Sequence, residues 1–345
     1  MWAIANQTRF KAERTFVRGR DGAEIWVVVV RATFDFDRQG KVSLAAEQQD
    51  VRQVPVYSGT PGLSGLRYDL DTVRTKSGTD LTLNASAHAP QGRPVTQLDV
   101  SWQVGPVSKT LKVFGNRTWQ KGLLGFSPGP PAGFTVMPII YERALGGPLS
   151  EKPDAPRDPA NTAGVGRVAL AGTPVPNVEY PDQPVRSPTS NARVAGFGAI
   201  PCEWQPRVKL AGTYDDAWKS HRQPLVPDDF DDRYFRCAPA DQQADGFLKG
   251  GEDVVLRNLT PEGLTRFQLP RVSLGFRTRI AGGATNHGGQ LHTVIIEPDE
   301  RRLVMVWQSA LPCHHTLYSL LDTTVFEKDR VPLTTPLGNQ PASMV

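Results

Sequence analysis

The chain has 345 residues, 39% hydrophobic and 21% charged, the composition of a folded protein rather than a disordered tail. Its net charge of +4 comes from 39 basic and 35 acidic residues, dispersed, with no Lys/Arg run of the kind that grips nucleic acid. Three cysteines, Cys202, Cys237 and Cys313, cannot all pair, which argues against a secreted disulfide framework.

The segment Met1 to Arg20 carries Arg9, Lys11, Arg14, Arg18 and Arg20 and has no apolar stretch of the signal-peptide kind. The longest apolar run, Ile25 to Val30, is too short to span a bilayer. A cytoplasmic location is therefore expected, with no membrane partner. The 32 glycines and 30 prolines are in excess and predict many turns and few long helices.

In chain order, Glu24 to Phe36 (EIWVVVVRATFDF) predicts a strand. Its apolar, β-branched start implies burial on both faces. Its later alternation puts Val30, Ala32, Phe34 and Phe36 inward and Arg31, Thr33 and Asp35 outward. Asp37 to Gly40 is a turn signal, and Val42 to Leu44 would return as a hairpin. Further strands are expected at 66–73, 81–89, 96–104, 108–114 and 134–141. From Pro128 to Pro201 the chain holds 14 prolines and 9 glycines. An ordered, wrapping loop is expected there, anchored by Val168, Leu170, Val178 and Tyr180, since flexible linkers lack such anchors.

Strand patterns resume at 254–256, 265–269, 272–280, 291–296 and 302–307, the last two forming a hairpin around Pro298 to Arg301. Helical turns are expected only within Tyr214–His221 and Pro227–Phe235, and the tail after Val331 reads as loose. The expected fold is mainly β: a large sandwich or barrel-like body with long Pro/Gly-rich loops and little helix. Its parts are an N-terminal β region (1–147), a connector (148–195) and a C-terminal loop-rich and β region (196–345), packed as one unit.

Motifs for chemistry are sparse. Cys313-His314-His315 has adjacent potential ligands, but neighbours in an extended segment point to opposite faces, so only Cys313 and His315 could converge. No four-ligand zinc spacing exists. The acidic run Asp228-Asp229-Phe230-Asp231-Asp232 lacks the spaced oxygens and bend glycine of a calcium loop, and reads as a helix start. No nucleophile elbow, zincin motif or phosphate loop occurs. No catalytic, metal or cofactor residue is assigned. Trp26, Trp102 and Trp307 fit strand cores, and His88 and His292 fit half-buried, satisfied positions in strands. The segment Gly196 to Glu252 mixes Trp204, Arg207, Tyr214, Trp218, Asp228 and Asp241 with little alternation. These six are the candidate partner-binding or loop-anchoring residues, because buried aromatics and arginines dominate interfaces.

Many stretches of the chain together carry a resemblance. They include Trp26 to Phe34, Thr79 to Pro94 (TDLTLNASAHAPQGRP), Lys112 to Gly115 with Trp119, and Met137 to Gly147 (MPIIYERALGG). Asn161, Gly164 to Gly166, Pro176 to Glu179, Gly196 to Pro201 and Trp204 to Arg207 continue the pattern. Ala211 to Trp218, Pro224 to Phe230, Ala238 to Gln242 and Gly250 to Glu252 complete it. From about residue 2 to 309 the chain resembles a bacterial domain-of-unknown-function family encoded beside type VI secretion genes. Cys237 departs from the pattern, where a less reactive residue is expected. The resemblance implies a non-enzymatic adaptor or chaperone. Its implied partners are a secreted toxin effector and a spike or spike-tip protein. The rival expectations are a hydrolase or carbohydrate-active β-sandwich using Asp215, Asp228 and Asp231, and a structural part of the secretion machine.

Overall fold

The computed structural model describes residues 2–314 and 317–328. Three sheets form the body, and none closes into a barrel. The largest has six strands. Glu24–Phe36 lies between Lys11–Arg18 and Arg302–His314, followed by Gln290–Glu297 and Asp80–Leu83. Val42–Leu44 pairs with the far end of Glu24–Phe36, as the turn signal predicts. Gly40 closes that turn at φ 81, and any Cβ there would strike the Arg266 carbonyl. The sheet is antiparallel except for Asp80–Leu83, which runs parallel to Gln290–Glu297.

A five-stranded antiparallel sheet runs in the order Val178–Glu179, Val107–Phe114, Gln97–Val104, Asp253–Arg257 and Leu264–Gln268. A four-stranded sheet runs Ala3–Asn6, Leu320–Glu327, Leu274–Ile280 and Gly283–Gly288. Both smaller sheets pack over one face of the six-stranded sheet. Trp26, Val28 and Val30 meet Val100, Trp102 and Val254 from the first, and Phe276 and Val325 from the second, in one apolar cluster. Each fully buried aliphatic or aromatic side chain of this cluster contributes about 1.5–3 kcal/mol.

The opposite face explains the continuous apolar run. Val27, Val29, Ile295, Val304 and Val306 form a second cluster, closed by Val51 and Tyr68 from a segment with almost no regular structure. This covering segment corrects two expectations. Arg31 and Thr33 are fully buried rather than outward, so two-sided burial persists almost to the strand's end. The strand expected at 66–73 stops at Tyr68, because Asp71 turns inward. Asp71 accepts from Arg31 Nη1 through both oxygens, at 3.1 and 2.9 Å, and from the Arg52 amide at 2.8 Å.

Other expected strands are shorter. Residues 81–89 divide into Asp80–Leu83 and Ser86–His88, and 134–141 reduce to Val136–Pro138. The later strands and the hairpin at Pro298 to Arg301 occur as expected. Trp26, Trp102 and Trp307 are core residues. Strands at Ala3–Asn6, Lys11–Arg18, Gly283–Gly288 and Leu320–Glu327 and the hairpin Trp119–Pro128 add to those read from the pattern. The tail after Val331 lies outside the described residues.

The Pro/Gly-rich connector is ordered by its own staples. Val178 and Tyr180 are buried as expected; Val168 is only half-buried and Leu170 is exposed, so neither anchors the loop. The holding contacts are polar instead. Asn161 Nδ2 donates to the Tyr141 and Leu145 carbonyls at 2.8 and 3.1 Å, and buried Arg117 pairs with buried Glu179. A small apolar cluster of Trp119, Leu145, Val175 and Val185 lies beneath.

Removing one partner from a buried ion pair strands the other charge. Asp71→Ala is expected to lower unfolding stability by about 3–5 kcal/mol, while Arg31→Met with Asp71→Leu recovers most of the loss. Denaturant titration of the three proteins checks this; a near-neutral Asp71→Ala would contradict it.

Candidate functional site

The loop system Gly196 to Glu252 lies beside the six-stranded sheet, and the sheet register positions it. Arg31, Val306, Thr293 and Asp80 lie opposite one another in a single row across four strands. This row carries three polar residues on the face covered by loops, and each must find a partner there. Lys76 Nζ donates to Asp80 Oδ2 at 2.8 Å and to Thr293 Oγ1 at 2.9 Å. Thr293 Oγ1 lies 2.7 Å from His292 Nδ1, and His292 Nε2 lies 3.1 Å from the Asp71 carbonyl. With Lys76 donating, the Thr293 hydroxyl donates to Nδ1, and Nε2–H donates to the carbonyl.

Arg236 and Cys237 bring the loop system into this chain of contacts. Arg236 Nε donates to Asp80 Oδ1 at 2.6 Å, and the Cys237 amide donates to Asp80 Oδ2 at 2.9 Å. Burial pushes the Asp80 carboxyl up, but Lys76 and Arg236 outweigh it and hold the group below its ordinary value. Burial pulls His292 down to about 3, with Lys76 adding to the effect. Cys237, the departure noted in the sequence, is a buried thiol pushed up to about 12 by burial. At that value it stays protonated and inert.

The six candidate residues divide into a buried base and an exposed tip. Trp204 is fully buried, edge-on to Tyr141 with ring centroids 5.5 Å apart. Arg207 is buried, pairs with Asp69 at 2.9 Å, and donates from Nε to the Tyr234 carbonyl at 3.0 Å. Asp241 is half-buried: Lys109 Nζ reaches its Oδ1 at 3.0 Å and the Tyr180 hydroxyl donates to its Oδ2 at 2.8 Å. Lys109 also donates to the Gly196 carbonyl and Gln242 Oε1, at 2.8 and 2.9 Å. Burial pulls this lysine down to about 8, against the opposing pull of Asp241. Asp241 holds the loop system to the five-stranded sheet, while Trp204 and Arg207 hold loop to loop.

The other three meet on a projecting lobe, residues 213–229. The expected helical turn is present as Asp216–His221, and Asp215 caps it by accepting from the Trp218 amide at 2.8 Å. Tyr214 is half exposed and packs edge-on to Trp218 with centroids 4.7 Å apart. The Trp218 indole donates to the Leu225 carbonyl at 2.8 Å. Asp228 is exposed and forms an ion pair with Arg222, with Nε at 3.0 Å. Arg222 Nη2 and Arg20 Nη2 tie the lobe to the turn beside strand Lys11–Arg18, through the Arg20 and Asp228 carbonyls. Trp218, Arg222, Asp228, Asp215 and His221 line an open hollow of about 360 Å³.

The acids here serve the backbone. Asp229 accepts the Thr213 amide and hydroxyl at 2.9 and 2.7 Å, and these bonds hold its carboxyl below the usual range. Asp231 caps the short turn Asp232–Phe235 and is lowered by its bonds from Arg233. No cluster of three metal-ligating side chains occurs among the described residues. Of the cluster at Cys313, His315 lies outside the described residues, while Cys313 itself is buried.

A model of a family of uncharacterised proteins conserved in bacteria, DUF2169, matches residues 21–308. The chain belongs to this family. No curated protein and no solved structure matches it. In this DUF2169 protein the matched span takes in five strands of the six-stranded sheet, all but Lys11–Arg18, and the whole loop system with its lobe. No helix among the described residues is long and apolar enough to cross a membrane.

Lys76, Asp80, Arg236, Asp69 and Lys109 position the site yet escape motif reading. Lys109 alone leaves a signal: it shares the inward face of its strand with Leu111 and Val113, a core position held by a charge.

Two measurements follow. Trp204→Ala is expected to cost about 3–5 kcal/mol of stability as a core truncation, whereas Tyr214→Ala leaves the melting temperature within a degree or two of wild type by the rule for exposed sites. Equal losses would contradict the division into base and tip. The folded pKa of His292, about 3, lies below its ordinary 6.5. Its neutral form thus stabilises the fold fully above pH 6.5, and that stability is lost as pH falls toward 3. Unfolding free energies from urea titrations between pH 6.5 and 4 should fall by up to about 1.4 kcal/mol per pH unit, and His292→Gln should flatten the slope.

Proposed function

We propose that this DUF2169 protein is a non-enzymatic adaptor or chaperone that binds a type VI secretion toxin effector and helps load it onto the spike complex. The observation that carries this reading is the lobe at 213–229, where Tyr214, Trp218 and Asp228 stand together on a stapled base. Tyr and Trp offer large contact area with few rotatable bonds, and a preformed lobe loses little entropy on binding. Ordered loops on a rigid scaffold are where recognition concentrates. The resemblance of the chain to proteins encoded beside spike and toxin genes supplies the class of partner.

The hydrolase reading draws on Asp215, Asp228 and Asp231, the first two lining one hollow. It has weaker support. A glycosidase needs one carboxyl held protonated by burial. Asp215 and Asp231 are spent as caps, Asp228 pairs with Arg222, and Asp231 is shifted in the opposite direction.

Co-expression with the toxin encoded beside its gene tests the proposal. The tagged protein should retain that toxin. Tyr214→Ala with Asp228→Ala should weaken capture by at least about tenfold, roughly 1.4 kcal/mol, without a change in melting temperature. Retention of the spike in fixed ratio without a toxin would favour the structural-component reading, and glycoside turnover abolished by Asp228→Asn would favour the enzyme.

A further inference from the structure

Strands Trp119–Gly122 and Gly125–Pro128 form a hairpin whose two-residue loop is Leu123-Leu124, closed by the pair Gly122 and Gly125. Both leucines are fully exposed, at 106% and 105%. Turn chemistry does not ask for them. Two-residue loops favour Gly, Asn or Asp because the strand twist calls for positive φ. Here Gly125 takes the positive φ, 115, and neither leucine does. The pair neither builds the turn nor fills a core. A break in local rules without structural gain is the mark of a functional position.

The hairpin is firmly based. Trp119 is 1% exposed, its indole donates to the Gly166 carbonyl at 3.1 Å, and its amide donates to the Thr173 carbonyl at 2.9 Å. The outer edge of Gly125–Pro128 has no strand beside it among the described residues. An open pocket of about 460 Å³ sits at the base, beside Thr118, walled by Ile140, Val165, Pro174 and Val175. Four-residue strands put the tip roughly 14 Å from that base.

We propose that this protein forms a two-fold dimer in which each Leu123-Leu124 tip enters the pocket at the base of the other copy's hairpin. An isologous contact needs tip and pocket on the same molecule, and both are present, one hairpin length apart. Two hairpins laid antiparallel bring each tip to the other's base and set their free Gly125–Pro128 edges together, which satisfies exposed backbone groups. The two-fold makes every contact twice. Charge agrees with the pairing. Arg117 is bound to Glu179 and Arg143 is held by the Asn116 and Asn177 side-chain oxygens. Glu142 also lines the pocket, its Oε1 accepting from the Gly65 amide, and Lys121 flanks the incoming tip. A bilayer fits the tip less well, since membrane-seeking apolar tips are flanked by several basic residues and only Lys121 is present in this hairpin. The dimer stands independently of the toxin-binding proposal, because the lobe at 213–229 takes no part in it.

Sedimentation velocity of the full chain from about 1 to 100 µM tests this range of affinity. Wild type should pass from monomer to dimer. Leu123→Asp with Leu124→Asp should weaken the dimer by roughly 100-fold or more, as loss of central contacts does, with an unchanged melting temperature. Ile140→Glu should do the same from the pocket side. Mixing the two variants should restore a weaker dimer, because one intact tip and one intact pocket remain. A wild type monomeric throughout, or a dimer that survives the double tip variant, overturns the proposal. So does flotation of monomeric wild type with phosphatidylglycerol vesicles that the tip variant loses.

Discussion

Arg31, buried to 0% exposure on an interior strand of the largest sheet, imposes a constraint on everything that covers it. A guanidinium there demands a carboxylate, and the nearest chain able to supply one is the loop carrying Asp71. The same loop offers its Asp71 carbonyl to His292, which meets Thr293, then Lys76, Asp80 and Arg236. A continuous run of polar contacts thus crosses the face of the sheet, each group satisfied by the next. Such networks are costly when half satisfied and rigid when complete. This explains how long stretches with almost no regular structure are nonetheless ordered: they are the lids of a sheet whose face carries buried charges beside its valines.

The arrangement links stability to the candidate site. Arg236 and Cys237 belong to the loop system that carries the lobe, and both are fixed on Asp80. Arg207 and Asp69 close the system from another side, and Lys109 with Asp241 from a third. The first and third join a loop to a sheet and the second joins loop to loop, each through a buried or half-buried charge. The lobe itself is left free of such ties except at its foot, where Arg222 and Arg20 meet backbone carbonyls. A surface built this way can offer Tyr214 and Trp218 without the entropy loss of ordering them on contact.

The body of the fold was legible from pattern alone. Glu24 to Phe36 has the bounds its periodicity predicts, the hairpin at Val42 follows its turn signal, and the C-terminal strands follow theirs. Where pattern failed, charge misled it. Arg31 and Thr33 look outward because they are polar, yet the outward face is itself covered. Strands with exposed residues on most positions, such as Gly283–Gly288, carry no apolar alternation and left no trace. Trp204 and Arg207 read in the sequence as partner-binding or loop-anchoring residues alike; only burial separates a loop staple from a contact residue, and burial is not written in residue type.

The sequence by itself determined the β-rich class, the core tryptophans, the positions of most turns and the family, because these follow from local propensity, period-2 alternation and the order of motifs. Tertiary structure alone decided which face of each strand meets solvent, which charges are paired, and which of the six candidate residues stand exposed. Those facts depend on contacts between residues more than a hundred positions apart, such as Asp80 with Arg236, Lys109 with Asp241 and Lys76 with Thr293. No local pattern encodes a partner at that distance; only the register of the strands brings it within hydrogen-bonding reach.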